Sequence, residues 1–225
     1  MVGVVYLLPM AVATLLSVGM FALTARHRDQ HGSYTMMALF GSIALWAGAY
    51  AVQLTTTTID PAIFWNNVRY FGISISPVAT LVFAMLYTGY NHLVTLRNLV
   101  LLFAVPTLTN VLIWTNPAHG LWGTYTYVPS QEALVQLTVS PAGPWYGVHA
   151  AYSFAASLAA IALFARKWFV TDTDGLVTQP TVFLSATALP MIGSMVTLAG
   201  LTPVDAAPIL FSITAVLLVY GVLEL

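Results

Sequence analysis

Apolar residues run through this chain in long continuous blocks, and polar residues collect between them. A helix needs roughly 20 residues to cross a ~30 Å hydrocarbon core. Windows of that length pick out seven blocks: Val2 to Ala25, Ser33 to Leu54, Pro61 to Thr88, Leu96 to Trp114, Pro144 to Trp168, Thr178 to Ala199 and Pro203 to Leu223. A closed barrel would show short alternating strands instead, so the pattern predicts helices. Asp60-Pro61 and Thr202-Pro203 each place a capping side chain before a proline at the first helical position. The one sizeable connection, 115–143, is rich in Pro, Gly, Tyr and Trp and reads as a small hairpin or lid. With no internal repeat, low-complexity tract or second domain, residues 1–225 read as a single all-α integral membrane domain, a seven-transmembrane-helix bundle.

Composition agrees. The chain is 59% hydrophobic and 6% charged, far from the roughly 25% charged content of soluble domains, so a multi-pass protein of the plasma membrane is expected. A net charge of −1 without a basic cluster excludes nucleic acid as a partner. The absence of cysteine excludes disulfides, thiolate metal sites and a cysteine nucleophile. The first block has no basic flank before it and too long an apolar core for a signal peptide, so it reads as a retained span.

The cations set an expected orientation. Arg26 and Arg28 follow the first span, Arg97 the third, and Arg166 with Lys167 the fifth, whereas the alternate loops carry no Lys or Arg. The positive-inside rule then predicts the amino terminus and the 115–143 loop outside and the carboxyl terminus in the cytoplasm.

Arg69 is the exception to that distribution. At ~1.5 Å per residue it lies on the order of 12 Å below the outer end of the third span. One reading is a side chain that snorkels to the outer headgroups. The other is an inward-facing arginine, because Asn66, Ser76 and Thr80 fall near its helical face. Gln53, Asn110, His149, Tyr152, Ser194 and Asp205 belong to the same outer half, as do the aromatic residues Trp46, Tyr50, Trp65, Tyr70, Trp114, Trp122, Trp145 and Tyr146. An interfacial aromatic belt explains many of these rings but not the co-located Asn, Arg and His. An outward-facing cavity for a small-molecule ligand does, with Trp46, Tyr50, Asn66, Arg69, Asn110, Trp114, His149, Tyr152 and Asp205 as candidate binding residues. Asp205 itself reads either as part of a Thr202-Pro-Val-Asp205 capping box or as the partner of Arg69, two compatible roles.

Several chemistries find no support. A retinal Schiff base needs a lysine inside the bundle, and the single lysine, Lys167, lies at the cytoplasmic end of the fifth span; no cofactor is expected. The histidines form no facing mid-membrane pair for haem, and His27 with His31 lacks a third metal ligand, so no metal site is expected. There is no Gly-x-Ser-x-Gly elbow, His-Glu-x-x-His, phosphate loop or buried carboxylate pair, and no catalytic residue is expected in this chain.

The segments "FGISISPVATLVFAMLYTGY", "VPTLTNVLIWTNPAHGLW", "GPWYGVHAAYSFAASLAAIALFARK", "LPMIGSMVTLAG" and "VDAAPILFSITAVLLVYGVL" resemble the seven-helix amino-terminal region of sensor histidine kinases, in forms common among halophilic archaea. Thr115-Asn116 with His119, then Gly143-Pro144, are the most telling, and Asp205 with Pro208 matches an acidic start of the last helix. The resemblance implies a sensory input module with lipid around it, Asn116 and His119 in a structural loop, a homodimer, and a cytoplasmic kinase or other effector domain beyond the last span. Because the chain stops at Leu225 without a phosphoacceptor motif, it reads as a cut-down form of a longer protein rather than a stand-alone relative. The position of Arg69 is more often uncharged in that family, so its role is not carried over. A small-solute transporter or channel and a purely structural or assembly protein are the rival functions. Transport favours deep ionisable residues and paired broken helices, neither of which is evident.

Overall fold

The computed structural model describes residues 2–29, 32–129, 135–170, 179–202, 205–208, 210, 211, 213, 214 and 217. The elements run α1 (Val2–Arg26), α2 (Ser33–Thr55), α3 (Ile59–Tyr87), α4 (Leu96–Trp114), a single-turn α5 (Asn116–His119), the antiparallel hairpin β1 (Gly123–Pro129) and β2 (Val135–Ala142), α6 (Pro144–Val170) and α7 (Gln179–Leu198). Residues 207, 208, 210, 211, 213, 214 and 217 are helical and define α8; the rest of the expected seventh block lies outside the described residues. Among the described residues, six helices are long and apolar enough to cross a membrane.

Two helix starts differ from expectation. Helix α3 begins at Ile59 after an extended Thr58, so Pro61 is its third residue, not its first. The first four N–H groups of a helix have no internal partner, so proline is tolerated anywhere in that turn. At α8 the cap is Asp205 itself, whose Oδ1 accepts the Ala207 N–H at 3.1 Å. Thr202 is not the cap, and its Oγ1 has no hydrogen-bond partner among the described residues. The carboxylate reaches two residues ahead, the usual geometry of a capping side chain.

Helices α2 and α3 form the most extensive contact, and α1 packs against α2. A Cβ on Gly72 of α3 would stand 2.3 Å from the Ser42 carbonyl oxygen and 2.7 Å from the Trp46 nitrogen of α2. Only glycine permits that approach, and small residues at helix contacts are what allow dispersion forces to hold helices together in lipid. The main core gathers Phe40, Ile43, Trp46, Leu81, Phe164, Phe183 and Phe211 from five helices. Leu15, Leu96, Val100 and Phe169 are exposed on the outer faces, where lipid is their natural solvent.

Pro77, Pro106 and Pro190 lie within α3, α4 and α7. Each removes the donor for the carbonyl four residues earlier, and at Pro106 and Pro190 neighbouring helices supply a replacement. The Tyr152 hydroxyl of α6 donates to the Leu102 carbonyl, which Pro106 leaves open, at 2.6 Å. The Thr214 hydroxyl of α8 donates to the Ala186 carbonyl, which Pro190 leaves open, at 3.0 Å.

Candidate functional site

The hairpin closes one end of the bundle. Asn116 in α5 fixes its entry by donating to the Gly123 carbonyl at 2.8 Å and accepting the Trp122 N–H at 3.0 Å. Trp122 is fully buried against Tyr70 and Ile113, with Tyr125, Val139 and Tyr146 packed around them. Tyr125 ties β1 to α3. Its hydroxyl donates to Asn67 Oδ1 at 3.0 Å and accepts from Asn66 Nδ2 at 3.3 Å. Burial pushes this phenol up to about 12, against a smaller downward pull from the Asn66 bond and the Arg69 charge.

Below the hairpin lies a cavity of about 550 Å³, walled by α2, α3, α6, α7, α8 and by Gly200, Thr202 and Asp205, with Leu137 and Val139 of β2 above. Its hairpin end is polar, with Tyr50, Asn66, Arg69, Tyr146 and Asp205. Its far end is apolar and aromatic, with Leu39, Phe83, Phe164 and Phe183. Ligand sites commonly combine such walls with a few converging polar groups and fall in the ~300–1,000 Å³ range.

Arg69 is 8% exposed and lines this cavity, so it does not snorkel to a headgroup. Its Cζ lies 4.3 Å from the centre of the Tyr50 ring and 5.8 Å from that of Tyr70. Among the described residues, its Nε and Nη1 have no hydrogen-bond partner. Of the two readings of Asp205, the cap is present and a direct bond to Arg69 is not found among the described residues. Oδ2 accepts from Trp46 Nε1 at 3.3 Å and Oδ1 from Ala207. Tyr50 joins the two charges instead, its ring under the guanidinium and its hydroxyl accepting the Asp205 N–H at 2.9 Å.

Of the nine residues marked in the sequence, Trp46, Tyr50, Asn66, Arg69, His149 and Asp205 line the cavity. His149 is also in reach of Thr109, at 3.5 Å. Asn110 is buried elsewhere, bridging α4 to α3 by donating to Ser74 Oγ at 2.8 Å. Tyr152 is committed to the Leu102 carbonyl. Trp114 is exposed and packs on Phe64 of α3. Asn110 and Trp114 miss the cavity because α4 stands behind α3 and α6 and contributes nothing to its wall, and Tyr152 misses it because it faces α4 from the outer side of α6. His119 is exposed, held between Thr115 and the Leu121 N–H. Tyr125, Leu137 and Val139 escaped the sequence reading; strand alternation would have found them only with the hairpin register in hand.

The profile of the family described as the N-terminal 7TM region of histidine kinase matches residues 9–225, and the chain belongs to that family. No curated protein matches it. The chain is thus a multi-pass membrane sensor module of the kind that precedes a kinase.

Proposed function

We propose that this module senses a small ligand, lipid or membrane condition at the cavity beneath the hairpin and passes the change through α8 to a cytoplasmic effector. The supporting observation is that the cavity wall and the hold on α8 are the same residues. Trp46 lines the cavity, donates to Asp205 at the start of α8, and meets Phe211 of α8 edge-on at 4.9 Å. Thr214 lines it too, and fastens α8 to α7. A ligand that displaces any of these shifts the equilibrium between arrangements of α8 by its differential affinity for them. The cation distribution supports a hairpin that faces outside and an α8 that leads inward, toward a kinase in a homodimer.

The test joins the module to a histidine kinase core in membranes. Ser157→Trp, which fills the cavity, is expected to change autophosphorylation several-fold, while Leu158→Trp, on an exposed position of the same helix, leaves it unchanged. Equal output from both variants and the parent contradicts the reading.

A further inference from the structure

We infer that the cavity takes a monoanionic amphiphile, its oxyanion head on Arg69 and its apolar body lying along α3 toward Phe83, Phe164 and Phe183. The inference rests on the sensory reading of this cavity and names the ligand class for it.

The argument begins with an unmet demand. A buried guanidinium with unused N–H groups costs more than a neutral donor in the same place. Tyr50 covers one face of Arg69 at 4.3 Å, but a ring face does not accept the in-plane hydrogen bonds of Nε and Nη1, which find no partner among the described residues. Asp205 contributes a counter-charge from the same wall, but its oxygens accept from Trp46 and Ala207 and neither Nε nor Nη1 of Arg69 bonds to it. Its charge is further offset by the amino-terminal end of α8, which it caps. The missing group is therefore an acceptor, and a charged one forms the strongest bond to a guanidinium.

The rest of the wall narrows the body of the ligand. Thr80, Thr187, Thr197 and Thr214 all line the cavity, yet each hydroxyl donates to a helix carbonyl at 2.8–3.0 Å. Their protons are spent within the helices, so these four threonines add no donor for a polar ligand body, and the remaining hydroxyls of the wall are those of Ser76, Ser153, Ser157, Ser194 and Thr202. From Arg69 to Phe83 is 83 − 69 = 14 residues of α3, ~21 Å at the helical rise, and the far end is aromatic. That shape matches one charged head and a long unbranched hydrocarbon. A free long-chain carboxylate and an anionic phospholipid of the bilayer share this chemistry.

The test uses the full chain in nanodiscs of neutral phosphatidylcholine and measures equilibrium binding of labelled hexadecanoate, of its methyl ester, and of phosphatidylglycerol. Saturable binding of hexadecanoate is expected, at least about tenfold tighter than the ester because the charge-assisted bond is lost. Arg69→Gln should remove that preference and Arg69→Lys retain part of it. If Arg69→Gln does not fold, Ser157→Leu, which leaves Arg69 intact, should weaken hexadecanoate more than octanoate. Arg69-dependent binding of phosphatidylglycerol alone also supports the inference, with bilayer lipid as the source. Equal binding of acid and ester, or wild-type affinity in Arg69→Gln, overturns it. Binding of neutral apolar compounds only, with cavity-filling variants still altering kinase output, overturns the anionic ligand and leaves the sensory reading standing. Loss of both responses takes down both.

Discussion

Tyr50 holds both ends of the polar site, with the Arg69 guanidinium 4.3 Å above its ring and the Asp205 backbone N–H on its hydroxyl at 2.9 Å. A charge buried in a membrane bundle normally answers to a counter-ion or to water. Here an aromatic face takes part of that role, and the side chain that supplies it also fixes the start of α8.

The ring and the hydroxyl of Tyr50 are separable. Tyr50→Phe keeps the cation–π contact and loses the bond to Asp205, whereas Tyr50→Leu loses both. Tyr50→Leu should cost about 1–2 kcal/mol more than Tyr50→Phe in thermal or denaturant unfolding. In an Arg69→Gln background that difference should shrink toward nothing. Equal destabilisation by Phe and Leu in the parent chain would show that the ring face does not hold the cation.

Thr214 is expected to matter out of proportion to its size. Thr214→Val preserves shape but leaves the Ala186 carbonyl, already deprived of its helical donor by Pro190, without the α8 hydroxyl. Interhelical hydrogen bonds in membranes average ~0.6 kcal/mol and reach ~1.7, so a modest loss of stability is expected together with an altered kinase set point. Adding Pro190→Ala restores the backbone donor and should rescue the stability. Failure of that rescue would break the link between the proline and the threonine.

The hairpin should loosen at high pH. Tyr125 has its phenol raised from 10.0 to about 12, chiefly by burial. A raised value means that the docked form keeps its proton after the undocked form has lost it. Tyr125 therefore favours docking fully below pH ~10, and that contribution fades as pH rises through about 12. Proteolysis of the hairpin, followed against pH, should accelerate across this window, and Tyr125→Phe should flatten that component. Ordinary titration of Tyr125 near 10 in an ultraviolet tyrosinate measurement would contradict the burial of its hydroxyl.

The chain's apolar blocks made the helices legible, since a bilayer demands length and composition and little else. The inward stripe of Asn66, Arg69, Ser76 and Thr80 was legible too, because helical spacing alone puts these residues on one face, and all four line the cavity. Depth along a span does not say which helices share a wall. Trp114 and Asn110 sit at the right level, but α4 is screened from the cavity by α3 and α6. The Arg69–Asp205 pair failed for a related reason. Opposite charges at one depth suggest a bond, but depth does not give distance: the carboxylate caps α8 locally at Ala207 and accepts from Trp46, a contact that only the packing of α2 against α8 reveals. Tyr125 was hidden because its role depends on hairpin docking, a long-range contact that no local pattern encodes.

The central claim is that a cavity inside the bundle, and not lipid, surrounds the face of α3 that carries Arg69. The chain has no cysteine, so single cysteines report it without background. Cysteines at Asn66 and Ser76, on the cavity wall, and at Phe64 and Phe71, exposed on the other side of α3, are exposed to small membrane-impermeant thiosulfonate reagents in intact vesicles. Positions 66 and 76 should react, faster with an anionic than with a cationic reagent because of the Arg69 charge, while 64 and 71 stay protected by lipid. Reaction at 64 and 71 with protection at 66 and 76 would contradict the account and return Arg69 to the membrane surface.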